Sequence, residues 1–378
     1  MTKDSHILTP SIEDIRKFLH LHPELSFEEY KTSAYIESIV RKYPCKVTTF
    51  EDSTGLVVEI GSGHPVVALR ADMDALWQEV DGKFQANHSC GHDAHMTIGL
   101  GVFLKLIEAD LPAKGTFKFI FQPGEEKGTG ALSLIEKGVI DDVDFLYGMH
   151  LRPIEELRNG QFSPAIEHGA AKFIEGSILG EDAHGARPHL NVNAIQVGME
   201  LFEHMNHIQI NPNIPHSAKL TSFQAGGKSP NIIPGNATFS IDLRAQNNDV
   251  LNQLSKKIED IALMLEKYHH IKLPLKVSAH VAAAQTNAEA IAYMENVISQ
   301  QMGNQQLIPP ITTTGGDDFH FYTIKRPELK ATMLAIGCDL QPGLHHPYMT
   351  YNHEIIPSAI DILSEVMIQT VKGEKGVN

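Results

Sequence analysis

Pro65-Val66-Val67-Ala68-Leu69-Arg70-Ala71-Asp72-Met73-Asp74 sets a short apolar run directly against a cation and two carboxylates. An uninterrupted apolar run of this length reads as a strand covered on both faces, as in a sheet with helices above and below. Charged residues placed directly after such a strand lie at the carboxyl edge of the sheet, where open α/β proteins gather their ligands. The stretch predicts an α/β fold with Asp72 and Asp74 at a binding edge. Taken alone, it would equally describe a loop with two solvated carboxylates.

The pattern recurs. Residues 116–121 form a second apolar strand ending in Gln122-Pro123-Gly124-Glu125-Glu126, and residues 143–149 form a third that ends on His150. Three strand ends thus deliver Asp72, the Glu125-Glu126 pair and His150 to one edge. Between them, Asn87-His88-Ser89-Cys90-Gly91-His92-Asp93-Ala94-His95 packs a thiol, three imidazoles and a carboxylate into nine residues. A thiolate two positions before an imidazole offers one soft and one borderline metal ligand, and the glycine between them lets the backbone bend. A buried structural cysteine beside helix-capping polar residues accounts for this segment equally well in isolation. A buried helix is expected over 96–107, and a late loop, Gly343-Leu344-His345-His346-Pro347, adds a histidine pair.

Outward from this centre, Ser11 followed by Glu13 and Asp14 caps a first helix, and a second covers 32–40. Residues 78–88 read as a loop. From about residue 170 the texture changes to strand 171–181, helix 192–207, strands 218–224 and 237–244, helix 250–268 and strand 271–281. That order is β-α-β-β-α-β, a ferredoxin-like α+β unit that folds alone. We expect an inserted domain over 168–281 and a discontinuous catalytic domain of 1–167 and 282–378, with residues 372–378 a frayed end.

The chain has 378 residues, a formal charge of -15 and a pI near 5.7, which works against phosphate backbones and anionic membrane surfaces. Nucleic acid and membrane are therefore excluded as expected partners. Three scattered cysteines form no disulfide framework, and Met1-Thr2-Lys3-Asp4-Ser5-His6 has no leader-like apolar core, so a cytoplasmic location is expected.

Collected, Cys90, His92, Glu126, His150 and His345, with Asp72 behind them, suit two neighbouring divalent ions better than one closed structural zinc. Thiolate and imidazole favour zinc, while carboxylate and imidazole also accept manganese or cobalt. Adjacent glutamates can divide the work. Glu126 would bind metal, and Glu125 would be the base for a water whose pKa a metal lowers to ~7.

Arg-Ala-Asp-Met-Asp-Ala at 70–75, Ser-Cys-Gly-His-Asp-Ala-His at 89–95, Gln-Pro-Gly-Glu-Glu at 122–126, Gly-Met-His at 148–150 and Leu-His-His-Pro at 344–347 resemble the aminoacylase and hippurate hydrolase group of metallopeptidases. Plant indole-acetyl amino acid hydrolases and bacterial N-acyl amino acid amidohydrolases belong to the same group. The resemblance spans His20 to Glu354 in family order. It implies a mixed-sheet α/β catalytic domain with two metals and an inserted dimerisation or lid domain. It also implies that Asp72 orients the site, that His184 reaches a neighbouring subunit's site to stabilise an oxyanion, and that Asn231 and Arg244 hold a substrate carboxylate. Departures cluster around the substrate: Trp77 stands where relatives have proline, Asp182-Ala183 precedes His184, and Gly316-Asp317-Asp318-Phe319 replaces Ser-Glu-Asp-Phe. A large indole at Trp77 could wall off or stack on an acyl group.

The expected activity is hydrolysis of an N-acyl amino acid by metal-activated water. A dipeptidase of the same mechanism is the neighbouring reading. A metal-stabilised, non-catalytic dimeric binding protein is the alternative from another class, and it would lack a ligand or the base.

Overall fold

The computed structural model describes residues 10–373. The stretch Met1 to His6 and residues 374–378 lie outside them; Lys372, expected to fray, instead closes the last helix. The chain divides into two units, the first made of residues 1–167, 285–312 and 318–378, the second of 168–284 and 313–317.

The first unit is built on a seven-stranded mixed sheet. Gly115–Gln122, Val66–Asp72, Phe145–Pro153 and Lys330–Leu340 run parallel at its centre. Ser53–Ser62 and Lys46–Phe50 extend one side and Phe162–Ser163 the other, all antiparallel. Every residue of Val66–Asp72 and Gly115–Gln122 is buried, which is why these strands read as continuous apolar runs rather than as alternation. Phe145–Pro153 runs past its expected end, so His150 lies within a strand. Lys330–Leu340 pairs alongside it, with Ala335 opposite His150, and that pairing keeps the backbone extended.

Ile12–Leu21 opens with the capping box expected from Ser11 and Asp14. The helix His92–Glu108 starts four residues earlier than the sequence suggests. Gly91 caps it at φ +87°, a conformation that lets the chain turn at once, so His92, Asp93 and His95 ride on the first turn. The same helix packs against Ile356–Lys372 and Ile12–Leu21. A Cβ at Gly101 would lie 2.2 Å from Ile360 Cδ1, so glycine sets how closely two of these helices approach.

Residues 78–88 are not an irregular loop. Leu76–Val80 and Lys83–Asn87 form an antiparallel hairpin around Asp81 and Gly82, whose φ values of +52° and +76° are those of the two-residue turn favoured by Asp-Gly.

The second unit carries a four-stranded antiparallel sheet in the order His216–Ala225, Ala237–Ala245, Ala170–Ile178, Leu275–Val281. Ala194–Asn206 and Asn248–His269 cover one face, and the inward residues of Ala237–Ala245 alternate with partly exposed ones as that arrangement requires. A short ribbon, Ala183–His184 with Ile232–Ile233, completes it.

Candidate metal centre

The centre of the first unit begins where two strands part. Val66–Asp72 pairs with Gly115–Gln122 as far as Asp72 and Gln122, but its pairing with Phe145–Pro153 ends at Leu69 and Tyr147. His95 fills the gap beyond. Its Nδ1 lies 2.7 Å from Asp72 Oδ1 while its Nε2 accepts the Leu151 amide at 3.1 Å. Both ring nitrogens are committed, so His95 is a support and not a donor to an ion. Asp93 is likewise engaged, with Oδ2 2.8 Å from His20 Nδ1.

The remaining donors face one another. His92 donates from Nδ1 to the Asp74 carbonyl at 2.8 Å, which leaves the Nε2 lone pair pointing the other way. His150 donates from Nδ1 to the Leu151 carbonyl at 2.7 Å, and its Nε2 sits 3.6 Å from Cys90 Sγ. His92 Nε2 is 3.8 Å from Glu126 Oε1, and His345 Nε2 is 3.5 Å from that same oxygen. Donor atoms of Cys90, His92 and His150 lie within 4.8 Å of one another, as do those of Cys90, Glu126 and His345. Cys90 belongs to both groups.

A metal fits this set on two counts. His92 Nε2 and Glu126 Oε1 are buried and have no hydrogen-bond partner among the described residues, which is costly unless a cation lies between them. The charges agree. Burial, with Glu126 nearby, pushes the Cys90 thiol well above its ordinary range, and burial raises Glu126. Burial drives His150 well below the usual imidazole range, keeping it neutral. A divalent cation reverses the first two effects and accepts the neutral imidazole directly.

Buried side chains hold the donors in place. Burial opposes the charge of Asp72, but His92, Arg70 and His95 outweigh it and hold its carboxyl well below the usual range. Arg70 is itself buried, donating to Asp72 Oδ2 at 2.5 Å, Asp318 Oδ1 at 2.8 Å and Gln122 Oε1 at 2.9 Å. Asp74, which the sequence puts at the binding edge, accepts from Glu125 N at 3.1 Å, Glu126 N at 3.0 Å and Ser26 Oγ at 2.6 Å. Its carboxylate fixes the turn that carries both glutamates. Glu125 Oε1 accepts from Asp318 N at 3.3 Å.

Two further residues that matter here carry no signal of their own in the sequence. Glu29 accepts the Gly124 amide at 2.9 Å and so anchors the Pro-Gly-Glu-Glu turn from the far side. Gln78 bonds the loop of His345. Neither belongs to a local motif; the Asp81-Gly82 turn was the signal that could have marked the hairpin carrying Gln78.

Trp77 points to the exposed face of that hairpin, 59 % exposed and stacked on Phe84 with ring centroids 6.4 Å apart, while the next residue, Gln78, serves the His345 loop. In the second unit, His184 lies on the short ribbon and the Gly185 amide bonds the Asn231 carbonyl at 2.7 Å, which brings these two residues together. Arg244 is partly exposed, pairs with Asp242 at 2.8 Å and lies over Phe173. It lines a recess with His216, Ser217 and Gln246.

Known proteins align with this arrangement. The chain is 29 % identical to the IAA-amino acid hydrolase ILR1-like 4 of Arabidopsis thaliana, over 91 % of this chain and 82 % of that one. It is 30 % identical to the N-acetyl-L-cysteine deacetylase of Bacillus subtilis (strain 168), over 93 % of this chain and 86 % of the other. The crystal structure of Bacillus subtilis YXEP protein, a dinuclear metal binding peptidase, has the same fold: TM-score 0.80 at 24 % identity, covering 96 % of this chain and 98 % of that one. The profile of Peptidase family M20/M25/M40 matches residues 68–369. A mixed sheet, paired metal-ligating groups and a match across most of the chain lead to one conclusion: the protein belongs to Peptidase family M20/M25/M40 and is a hydrolase of amide bonds.

Proposed function

We propose that the chain hydrolyses N-acyl amino acids to a carboxylic acid and a free amino acid. The observation that carries this reading is the pair of donor groups sharing Cys90, with Glu125 held beside them. Cys90, His92 and His150 would hold one divalent ion, and Cys90, Glu126 and His345 a second. Zinc, manganese and cobalt all suit the set. When bound, such ions polarise the amide carbonyl and lower the pKa of water. Glu125 takes a proton from the attacking water as its oxygen bonds the carbonyl carbon, then passes that proton to the nitrogen as the C–N bond breaks. Asp74 and the Asp318 amide keep Glu125 in place, and Asp72 orients the site.

For the substrate, the names of the relatives, an IAA-amino acid hydrolase and an N-acetyl-L-cysteine deacetylase, support an acylated amino acid. Arg244 and Asn231 would hold the substrate carboxylate and His184 would stabilise the oxyanion of a partner subunit's site. A homodimer through the second unit is supported by its surface. Ile195, Met199 and Phe202 are 41 %, 67 % and 50 % exposed on one helix, beside a recess of about 500 Å³ and the unpaired edge of His216–Ala225. Free Cys45, Cys90 and Cys338 fit a cytoplasmic location, and no helix among the described residues is long and apolar enough to cross a membrane.

The test is a panel of acetyl, benzoyl and indole-acetyl amino acids against dipeptides, run on metal-stripped protein reloaded with each ion, with Glu125→Gln alongside. Turnover of acylated amino acids above dipeptides, falling by about 10² to 10⁴ in Glu125→Gln with metal content unchanged, is expected. Preference for dipeptides would reassign the substrate, and an active Glu125→Gln would remove the base.

A further inference from the structure

We infer that Gln78 is a positioning residue for the second ion: it ties the His345 loop to the Cys90 loop, and without it that ion is held at least tenfold more weakly while the first is unaffected. The inference deepens the two-ion reading above and rests on it.

His345 differs from the other donors. Its side chain is 54 % exposed, whereas that of Glu126, 3.5 Å away, is 10 % exposed. Packing therefore does little to hold the ring. Its backbone lies at φ +63°, a region that a non-glycine residue adopts when neighbouring bonds fix it there. Those bonds are present. The His345 amide donates to the Ser89 carbonyl at 2.7 Å, and the His345 carbonyl accepts Gln78 Nε2 at 2.7 Å. On its other side, Gln78 Oε1 accepts Ser89 Oγ at 2.7 Å and Asn87 Nδ2 at 3.1 Å. Ser89 directly precedes Cys90. One amide thus reaches from the residue beside the shared thiol to the backbone of the most exposed donor.

The network also fixes the chemistry of the side chain. Two donors face Oε1 and a carbonyl faces Nε2, so only an amide in this orientation satisfies all three partners. Glutamate would turn an oxygen toward the His345 carbonyl. The hairpin adds further ties: Asn87 Nδ2 donates to the Pro347 carbonyl at 3.0 Å, and the Tyr348 hydroxyl donates to Asp81 Oδ1 at 3.0 Å. It brackets the loop from His345 to Tyr348.

Metal-stripped protein is titrated with Co(II), following thiolate-to-cobalt absorption in the near ultraviolet and bound metal by equilibrium dialysis. Wild type takes two equivalents. Gln78→Leu is expected to keep the first equivalent, with its absorption, and to bind the second at least tenfold more weakly, as His345→Ala should. Gln78→Glu, which keeps the acceptor and loses the donor, should also weaken the second equivalent selectively and guards against misfolding of the leucine variant. Wild-type binding of the second ion by both Gln78 variants, or equal weakening of both ions, overturns the inference. A wild-type chain taking fewer than two ions overturns the two-ion reading itself, and this inference with it.

Discussion

At the scale of single residues, the centre combines groups that are unfavourable to bury with partners that make burial tolerable. Arg70 is the clearest case, a buried guanidinium bonded to two buried carboxylates and a carboxamide. Arg70→Met would leave Asp72 and Asp318 without their cation, and urea unfolding should show a loss of about 3 to 5 kcal/mol. Cys90 gives a second expectation. Burial raises its thiol well above the ordinary value, so it carries a proton near neutral pH, and a metal must displace that proton to bind sulfur. Metal loading should therefore release protons and tighten as pH rises. Calorimetry in buffers of different ionisation enthalpy measures the release, which should fall in Cys90→Ser. Four of the five proposed ligands were legible in the sequence because each stands within two residues of a glycine or proline that announces a turn, and His150 because it follows an apolar run that reads as a strand. Asp74, Glu29 and Gln78 act through partners distant along the chain, and no local pattern encodes such pairings.

Elements show where sequence patterns succeed and where they yield to tertiary pairing. The central strands were legible because burial on both faces demands an apolar run, and Ser11 with Asp14 announced a helix start. The apolar run 143–149 stops before His150 in the sequence, yet pairing with Lys330–Leu340 carries the strand on to Pro153. The hairpin 76–87 went unread because exposed Trp77, Glu79 and Phe84 share a face and blur the apolar alternation. Helix packing supplies a test of its own. Gly101→Val would drive a side chain into Ile360, costing about 1 to 3 kcal/mol by overpacking. Adding Ile360→Ala should recover part of that loss, so a double-mutant cycle should show a coupling energy favouring the pair; simple additivity would mean that Gly101 does not set the helix approach.

For the whole molecule, both tests concern what the folded chain binds. A ligand held by the native state alone stabilises it by RT ln(1 + [L]/Kd), about 2.7 kcal/mol at a hundredfold excess over Kd. Chelation should lower the melting temperature of the wild type, and Cys90→Ser should blunt that response. Charge on the exposed helix face tests the proposed dimer: Met199→Asp with Phe202→Asp should yield monomers in light scattering, and an unchanged dimer would place the interface elsewhere. The gap that His95 bridges also has a spectroscopic consequence. Within the central sheet a strand amide ordinarily donates to a carbonyl oxygen, but the Leu151 amide donates to an imidazole nitrogen wedged where the ladder stops. In isotope-labelled protein this contact should transmit a nitrogen-to-nitrogen scalar coupling, which a carbonyl-accepted bond cannot give. Because His95 packs against His150, with ring centroids 4.7 Å apart, the same resonance pair should shift as metal loads, giving a reporter of occupancy that depends on neither absorption nor turnover.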